Sequence, residues 1–237
     1  NLPVGMIIGM EGADSITDPD QLYEWYDEGL RLISLSHYGV SNYSHGTGTG
    51  TDGGLVGKGK ELLIEMDKLN MILDVSHTSD ESVRQELEIF EGPIIATHQN
   101  CRSVAPGERQ FPDHQLKSII DRGGVIGHSM DTFMMWKTEI DWSDIPLPRP
   151  FPKDEVTLED FVDHIDHVCQ LSGNSLHSAI GGDTDGQGGM VGAPKEVDTV
   201  LDYQKIITLL QTRGYKDSDI ENIFYKNWQR FFEANLP

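Results

Sequence analysis

Six ionisable residues stand where short apolar runs stop: Glu11, His37, His77, His98, His128 and Asp183. His77 closes M-I-L-D-V-S-H and His98 closes G-P-I-I-A-T-H, with a helix-length stretch opened by Ser79, Asp80 and Glu81 between them. Runs this short with branched apolar residues predict strands. Two parallel strands joined by a helix deliver their C-terminal ends to one edge of a sheet. Imidazoles placed there suit a borderline metal such as zinc. A carboxylate such as Glu11 at an apolar strand end is costly to bury unless it is paired or metal-bound. Taken singly, each has a bland counterpart: a histidine bonding backbone, or a solvated acid. Two histidines, Glu11 and Asp183 together have the donor types of a hydrolytic metal centre.

The elements that must position these residues alternate along the chain. Val4–Met10 reads as a buried strand ending at Glu11, followed by a helix from Thr17-Asp18-Pro19 to about Glu28 that Gly29 closes. Leu30–Ser36 is a strand ending on His37. Tyr38–Gly59, with G-T-G-T-G-T-D-G-G at its centre, reads as a flexible loop over a site. No G-K-[ST] follows, so its glycines do not form a phosphate cradle. Lys60–Leu69 is an amphipathic helix. The loop Cys101–Asp113 carries Arg102 and Arg109, candidates for clamping a carboxylate, with a surface ion pair as the alternative. Pro112–Asp121 is a short helix, and Gly123–His128 a strand.

Met130–Pro152, with Met134, Met135, Trp136 and Trp142, reads as an ordered excursion or partner surface, and we assign 131–156 to an insertion. Thr157–Leu171 is a helix in which His164 and His167 share turns with acids and read as solvated. Leu176–Gly182 is a strand before Asp183, and helices Asp198–Thr212 and Asp217–Ala234 finish the chain. Strand and helix thus alternate six times, each strand ending on an ionisable residue. That is the layout of an α/β protein of the (β/α)8 TIM barrel type, with its site at the C-terminal mouth. Six strands are visible, so two more are expected before Asn1.

Bulk properties narrow the function. The 237 residues suit a single domain with a real core. Asp and Glu number 39 against 18 Lys and Arg, a net charge of −21. This argues against nucleic acid and anionic membrane surfaces as partners, and an anionic substrate would need a local cation such as Arg109. No apolar run has the length of a membrane span, and no signal segment opens the chain. Cys101 and Cys169 give no disulfide framework. The compartment stays open, with a soluble cytoplasmic protein favoured over a periplasmic or secreted one.

The segments G-M-E-G-A-D-S-I, L-R-L-I-S-L-S-H, E-M-D-K-L-N-M-I-L-D-V-S-H, P-I-I-A-T-H, R-Q-F-P-D, H-I-D-H-V and G-G-D-T-D-G together resemble the membrane (renal, microsomal) dipeptidase family of zinc peptidases. The resemblance runs from about Ile7 to the C-terminus and implies a zinc-dependent dipeptidase of the metal-dependent hydrolase barrel type. It implies that Glu11 bridges two zinc ions, that His77 and His98 bind the second, and that Asp183 handles the proton at the metals. It implies that His37 contacts substrate or its oxyanion, and that Arg109 holds the substrate carboxylate.

The family's H-x-D motif for the first metal does not occur at the start of this sequence. Two zinc ions are expected if it lies upstream of Asn1, one otherwise. His128 stands near a position where the family often has Asn, which makes it a substrate-binding candidate and leaves substrate choice open. Thr184 stands where Phe is common. The expected partner is a small dipeptide. Members often form homodimers, and the aromatic C-terminal helix suits either a core or an interface. Two other functions stay in view: a non-catalytic barrel homologue acting as a binding module, and a metal-dependent amidohydrolase acting on another carboxylated amide or lactam.

Overall fold

Branched apolar residues form short parallel strands in both halves of the chain, with helices as the crossovers that parallel pairing demands. The computed structural model describes residues 5–138, 153–184 and 192–237. These fall into two compact units, one extending to Ile95 and rejoined by Ala234–Pro237, the other Ala96–Glu233.

The first unit holds strands β1 (Ile8–Glu11), β2 (Leu30–Ser34), β3 (Ile72–Asp74) and β4 (Ile94–Ile95), parallel and in that spatial order. Helices α1 (Leu22–Asp27), α2 (Gly59–Lys68) and α3 (Asp80–Ile89) connect them. The register sets Glu11 opposite Ser34 and Leu73 opposite Ile94. Ile33, Ile72, Leu73 and Ile95 of the strands, with Leu62, Met66 and Val83 of the helices, are buried. At Gly9 a Cβ would lie 2.8 Å from Leu32 Cδ1, so a larger residue there would make the Leu32 side chain shift. The helix starts follow side-chain capping: Asp18 accepts from the Asp20 N–H, Pro19 opens the first turn, and Ser79 accepts from the Ser82 N–H.

β2 and β3 stop earlier than the sequence pattern suggests. After Asp74 the chain turns, because the Ser76 N–H bonds Asp74 Oδ1 and the Thr78 N–H bonds the Val75 carbonyl. His37 and His77 therefore sit in the segments that leave the sheet.

The second unit pairs β5 (Ile126–Ser129) with β6 (Ser178–Gly182), and Ala96 bridges to Ile126, all parallel. Helices α4 (Asp113–Asp121), α5 (Leu158–Ser172), α6 (Lys205–Thr212), α7 (Asp217–Glu221) and α8 (Asn227–Asn235) accompany them. Thr157 and Asp160 close a capping box at the start of α5, and Gly173, at φ 71°, ends it. The C-terminal helical stretch expected as one piece is broken by a π-helical turn, Asn222–Lys226, between α7 and α8. Its packing face buries Ile220, Ile223 and Phe231.

Two expectations change here. Met130, Met134 and Met135 are buried, and Met130 and Met135 belong to the core around Phe161 and Ile165, so these methionines are not a partner surface. Residues 139–152 of the expected insertion, Trp142 among them, lie outside the described residues. His164 is fully buried in α5 rather than solvated. It faces the same core as Phe161 and Ile165, which the acids beside it in sequence concealed.

Candidate metal centre

In the first unit Glu11 ends β1, and His37 and His77 follow the ends of β2 and β3. Parallel pairing sets these three strand ends side by side. His77 Nε2 lies 3.3 Å from Glu11 Oε1, and His37 Nε2 lies 3.9 Å from the same oxygen. One donor atom from each residue falls within 4.8 Å of the others, and among the described residues this is the group able to hold a metal ion. The Glu11 and His37 side chains are about half-exposed, whereas His77 is buried. The His37 and His77 ring centroids are 4.3 Å apart, and Tyr38 packs on both rings.

The backbone is bent to make this arrangement. Gly12 takes φ 82° directly after Glu11, and its N–H reaches both the carbonyl and the hydroxyl of Ser34. His77 takes φ 67°, a left-handed conformation uncommon outside glycine. The loop expected to be flexible is closely tied down. Bridges join Tyr38 to Thr47, Val40 to His45, Ser44 to Leu55 and Gly46 to Thr78.

The donor set fits a divalent cation. Thr47 Oγ1 lies 3.1 Å from His77 Nδ1 and also donates to the His77 carbonyl, at 3.2 Å. A hydroxyl has one proton, so when it goes to the carbonyl, Nδ1 must be the donor in the other bond. A neutral His77 then turns the Nε2 lone pair toward Glu11 Oε1. Two acceptors 3.3 Å apart require a positive charge near them, from a proton or a metal ion.

The second unit carries the other residues singled out in the sequence. His98 Nδ1 lies 2.8 Å from Thr97 Oγ1. Arg109 is 1% exposed, and its guanidinium donates to Gln99 Oε1 at 2.6 Å and to the His98 carbonyl at 2.9 Å. The Gln99 amide returns a bond to the Arg109 carbonyl. Asp183 takes φ 62° past the end of β6, and the Ser129 hydroxyl donates to its Oδ2 at 2.9 Å. Asn100 accepts from the Ser129 N–H and donates to the Ser129 carbonyl. His77 and Asp183 are thus two of the three non-glycine residues with positive φ among the described residues.

His128 departs from its expected place. It lies within β5, paired opposite Ile180, and the strand runs on to Ser129. Side chains alternate along a strand, so His128 and Ser129, which bonds Asp183, lie on opposite faces. It is fully buried, with Nδ1 bonded to the Gln99 carbonyl and Nε2 to Ser178 Oγ. Burial pushes its pKa down to about 3, against a smaller upward pull from the Gln99 carbonyl. It offers a substrate no exposed edge, and the residue at the end of the strand is Ser129.

Thr47, Gln99 and Ser129 are the supporting residues that motif reasoning missed. Gln99 directly follows the strand-end His98, and Ser129 directly follows His128, so adjacency was the available signal. Thr47 lies 30 residues from His77 and gave none.

A family model described as membrane dipeptidase, peptidase family M19, matches residues 2–235. The chain belongs to that family. Among its curated relatives are a dipeptidase, verJ, of Clonostachys rogersoniana, 30% identical over 98% of this chain and 55% of its own length, and an uncharacterised dipeptidase of Schizosaccharomyces pombe, 28% identical over 98% of this chain and 53% of its own. The chain spans about half the length of these relatives.

Among solved structures, a metallo peptidase from Rhodobacter sphaeroides, liganded with a phosphinate mimic of the dipeptide L-Ala-D-Ala, superposes with a TM-score of 0.83. Its identity is 24%, with 97% of this chain and 63% of that one covered. The family member described here therefore shares the α/β fold of the metallo-hydrolase barrels, as the strand–helix alternation led us to expect. No helix among the described residues is long and apolar enough to cross a membrane.

Proposed function

We propose that this chain is the hydrolytic part of a zinc-dependent dipeptidase. The observation that carries the reading is the Glu11–His37–His77 cluster at three adjacent strand ends of a chain in the membrane dipeptidase family. Glu11 and His77 would hold the metal, with His98 as the further ligand that the family resemblance names. A bound zinc ion supplies Lewis acidity and makes water nucleophilic near neutral pH.

The chain's own residues do the rest. His37, half-exposed beside Glu11, would stabilise the developing oxyanion of the peptide carbonyl. Asp183, oriented by the Ser129 hydroxyl, would accept the proton of the attacking water and return it to the leaving amine. Arg109, its guanidinium fixed by Gln99 and the His98 carbonyl, would hold the substrate's C-terminal carboxylate. A carboxylate required one residue beyond the scissile bond restricts the substrate to a dipeptide. The R. sphaeroides structure, with its phosphinate dipeptide mimic, supports that substrate class.

The test is hydrolysis of a dipeptide panel, L-Ala-D-Ala and L-Ala-L-Ala included, with chelator and again after zinc is restored. The reading expects activity that chelator abolishes and zinc restores. Equal cleavage of N-acyl amides lacking a free carboxylate would replace dipeptidase with a broader amidohydrolase. Zinc uptake without turnover of any substrate would replace it with a binding module.

A further inference from the structure

We propose that Thr47 is a positioning residue for the cation site: its hydroxyl fixes His77 in the tautomer protonated on Nδ1 and aims the Nε2 lone pair toward Glu11. The proposal rests on the zinc reading given above, and it adds a residue outside the metal-ligand set. Thr47 touches both histidines of the cluster. Its side chain bonds His77 Nδ1 and the His77 carbonyl, and its own N–H bonds the His37 carbonyl at 3.0 Å.

The loop is shaped for this contact. A Cβ on Gly46 would lie 2.2 Å from the His37 carbonyl oxygen, so only glycine lets the chain run this close to His37. The Gly46 N–H bonds the Gly39 carbonyl, the Gly39 N–H bonds the Thr47 carbonyl, and Ser36 Oγ bonds the His45 carbonyl. Thr47 is therefore held from both sides. The single hydroxyl proton then decides the tautomer: donation to the His77 carbonyl leaves oxygen lone pairs facing Nδ1, which must carry its own proton. A histidine whose second nitrogen is held this way keeps its ring orientation and is a stronger ligand.

The experiment compares zinc affinity of the full 237-residue chain with that of Thr47→Val and Thr47→Ser, by competition with a chromophoric chelator. Thr47→Val keeps the shape and loses the hydroxyl, and we expect zinc to bind about 10- to 100-fold more weakly. Thr47→Ser keeps the hydroxyl and should bind close to the unaltered chain. Equal affinity for Thr47→Val overturns the proposal, as does an equal loss in Thr47→Ser.

A second measurement does not depend on how the variants fold. ¹⁵N NMR of histidine-labelled, unaltered chain above the imidazole titration range, with His77 assigned by His77→Gln, reads which nitrogen bears the proton. A proton on Nδ1 supports the role of Thr47, and a ring protonated on Nε2 alone overturns it. Should the unaltered chain take up no zinc, the functional reading fails, and the NMR result still decides the tautomer.

Discussion

His37 and His77 in the first unit and His128 in the second follow similar sequence cues and meet opposite fates. His37 and His77 lie beyond the ends of their strands, and both have Glu11 Oε1 within 4 Å of a ring nitrogen. His128 lies inside its strand and His164 inside a helix. Their rings stack 6.2 Å apart in a fully buried position. The partners of His128 are a carbonyl and a hydroxyl, and His164 Nδ1 accepts the Cys101 backbone N–H. Burial is the leading cause that lowers the pKa of both. A strand-end histidine meets an acid when the chain carries it past the sheet. One residue earlier it becomes a neutral hydrogen-bonding part of the core.

The sharpest way to break this contrast is at Glu11. Glu11→Gln keeps the shape and removes the charge that His37 and His77 share. We expect zinc content, read by elemental analysis, to fall to background. The loss of several kcal/mol of electrostatic stabilisation corresponds to a drop in turnover on the order of a thousandfold. Full zinc occupancy with full activity would show that the cluster is an incidental grouping of polar side chains.

Arg109→Ala tests the carboxylate clamp proposed for the second unit. Loss of a charge-assisted carboxylate bond should raise KM for dipeptides about 10- to 100-fold while zinc content holds. The guanidinium is buried, so Arg109→Ala also leaves Gln99 Oε1 and the His98 carbonyl without these donors. Arg109→Lys, which keeps the charge but loses the fork, separates the two effects. A KM unchanged in both variants removes the clamp from the mechanism.

The architecture was legible because six apolar runs alternate with helix signals. The capping residues Asp18, Ser79 and Thr157 marked helix starts, and Glu11 and His77, which the structure brings to 3.3 Å of each other, could be singled out as candidate metal ligands before any coordinates. What escaped was anything decided by a single residue of register or by a distant partner. His128 and Ser129 are neighbours, both buried, and no local pattern states which one the pleat turns to Asp183. His164 carries acids on its own helix, and its burial comes from core packing that the helix sequence does not record. Thr47 sits in a glycine-rich run whose composition says loop, while its function depends on meeting His77 in space. Composition reports flexibility, whereas the bridges from Tyr38, Val40, Ser44 and Gly46 are made by backbone groups that every residue has.

His128 itself supplies the next test. As a substrate ligand it would change KM when replaced; as a core residue it should change stability. His128→Leu takes a donor or acceptor from the Gln99 carbonyl and from Ser178 Oγ, a cost of about 1–3 kcal/mol, with KM unaltered in the folded protein. Acid stability carries the same signature. A folded-state pKa near 3 lies below the unfolded value of 6.5, so protons favour the unfolded chain. His128 therefore contributes no penalty above pH 6.5 and costs stability progressively as pH falls toward 3. His128→Leu should flatten that part of the stability profile.

The smallest expected effect has the opposite sign and comes from the first unit. Glu86 on α3 is fully buried, and neither carboxyl oxygen has a hydrogen-bond partner among the described residues. Burial, then the charge of Asp74, raise its pKa well above the ordinary 4.5. The unfolded chain releases this proton first. Stability is therefore full below pH 4.5 and declines as pH rises from there through the folded-state value. Glu86→Gln removes the ionisation and keeps the volume. It should gain about 1–2 kcal/mol at pH 8 and nothing at pH 4. Chemical denaturation at the two pH values reads both arms. A gain of equal size at both would assign the effect to packing, and the unit would then hold a carboxylate that never needed to be neutral.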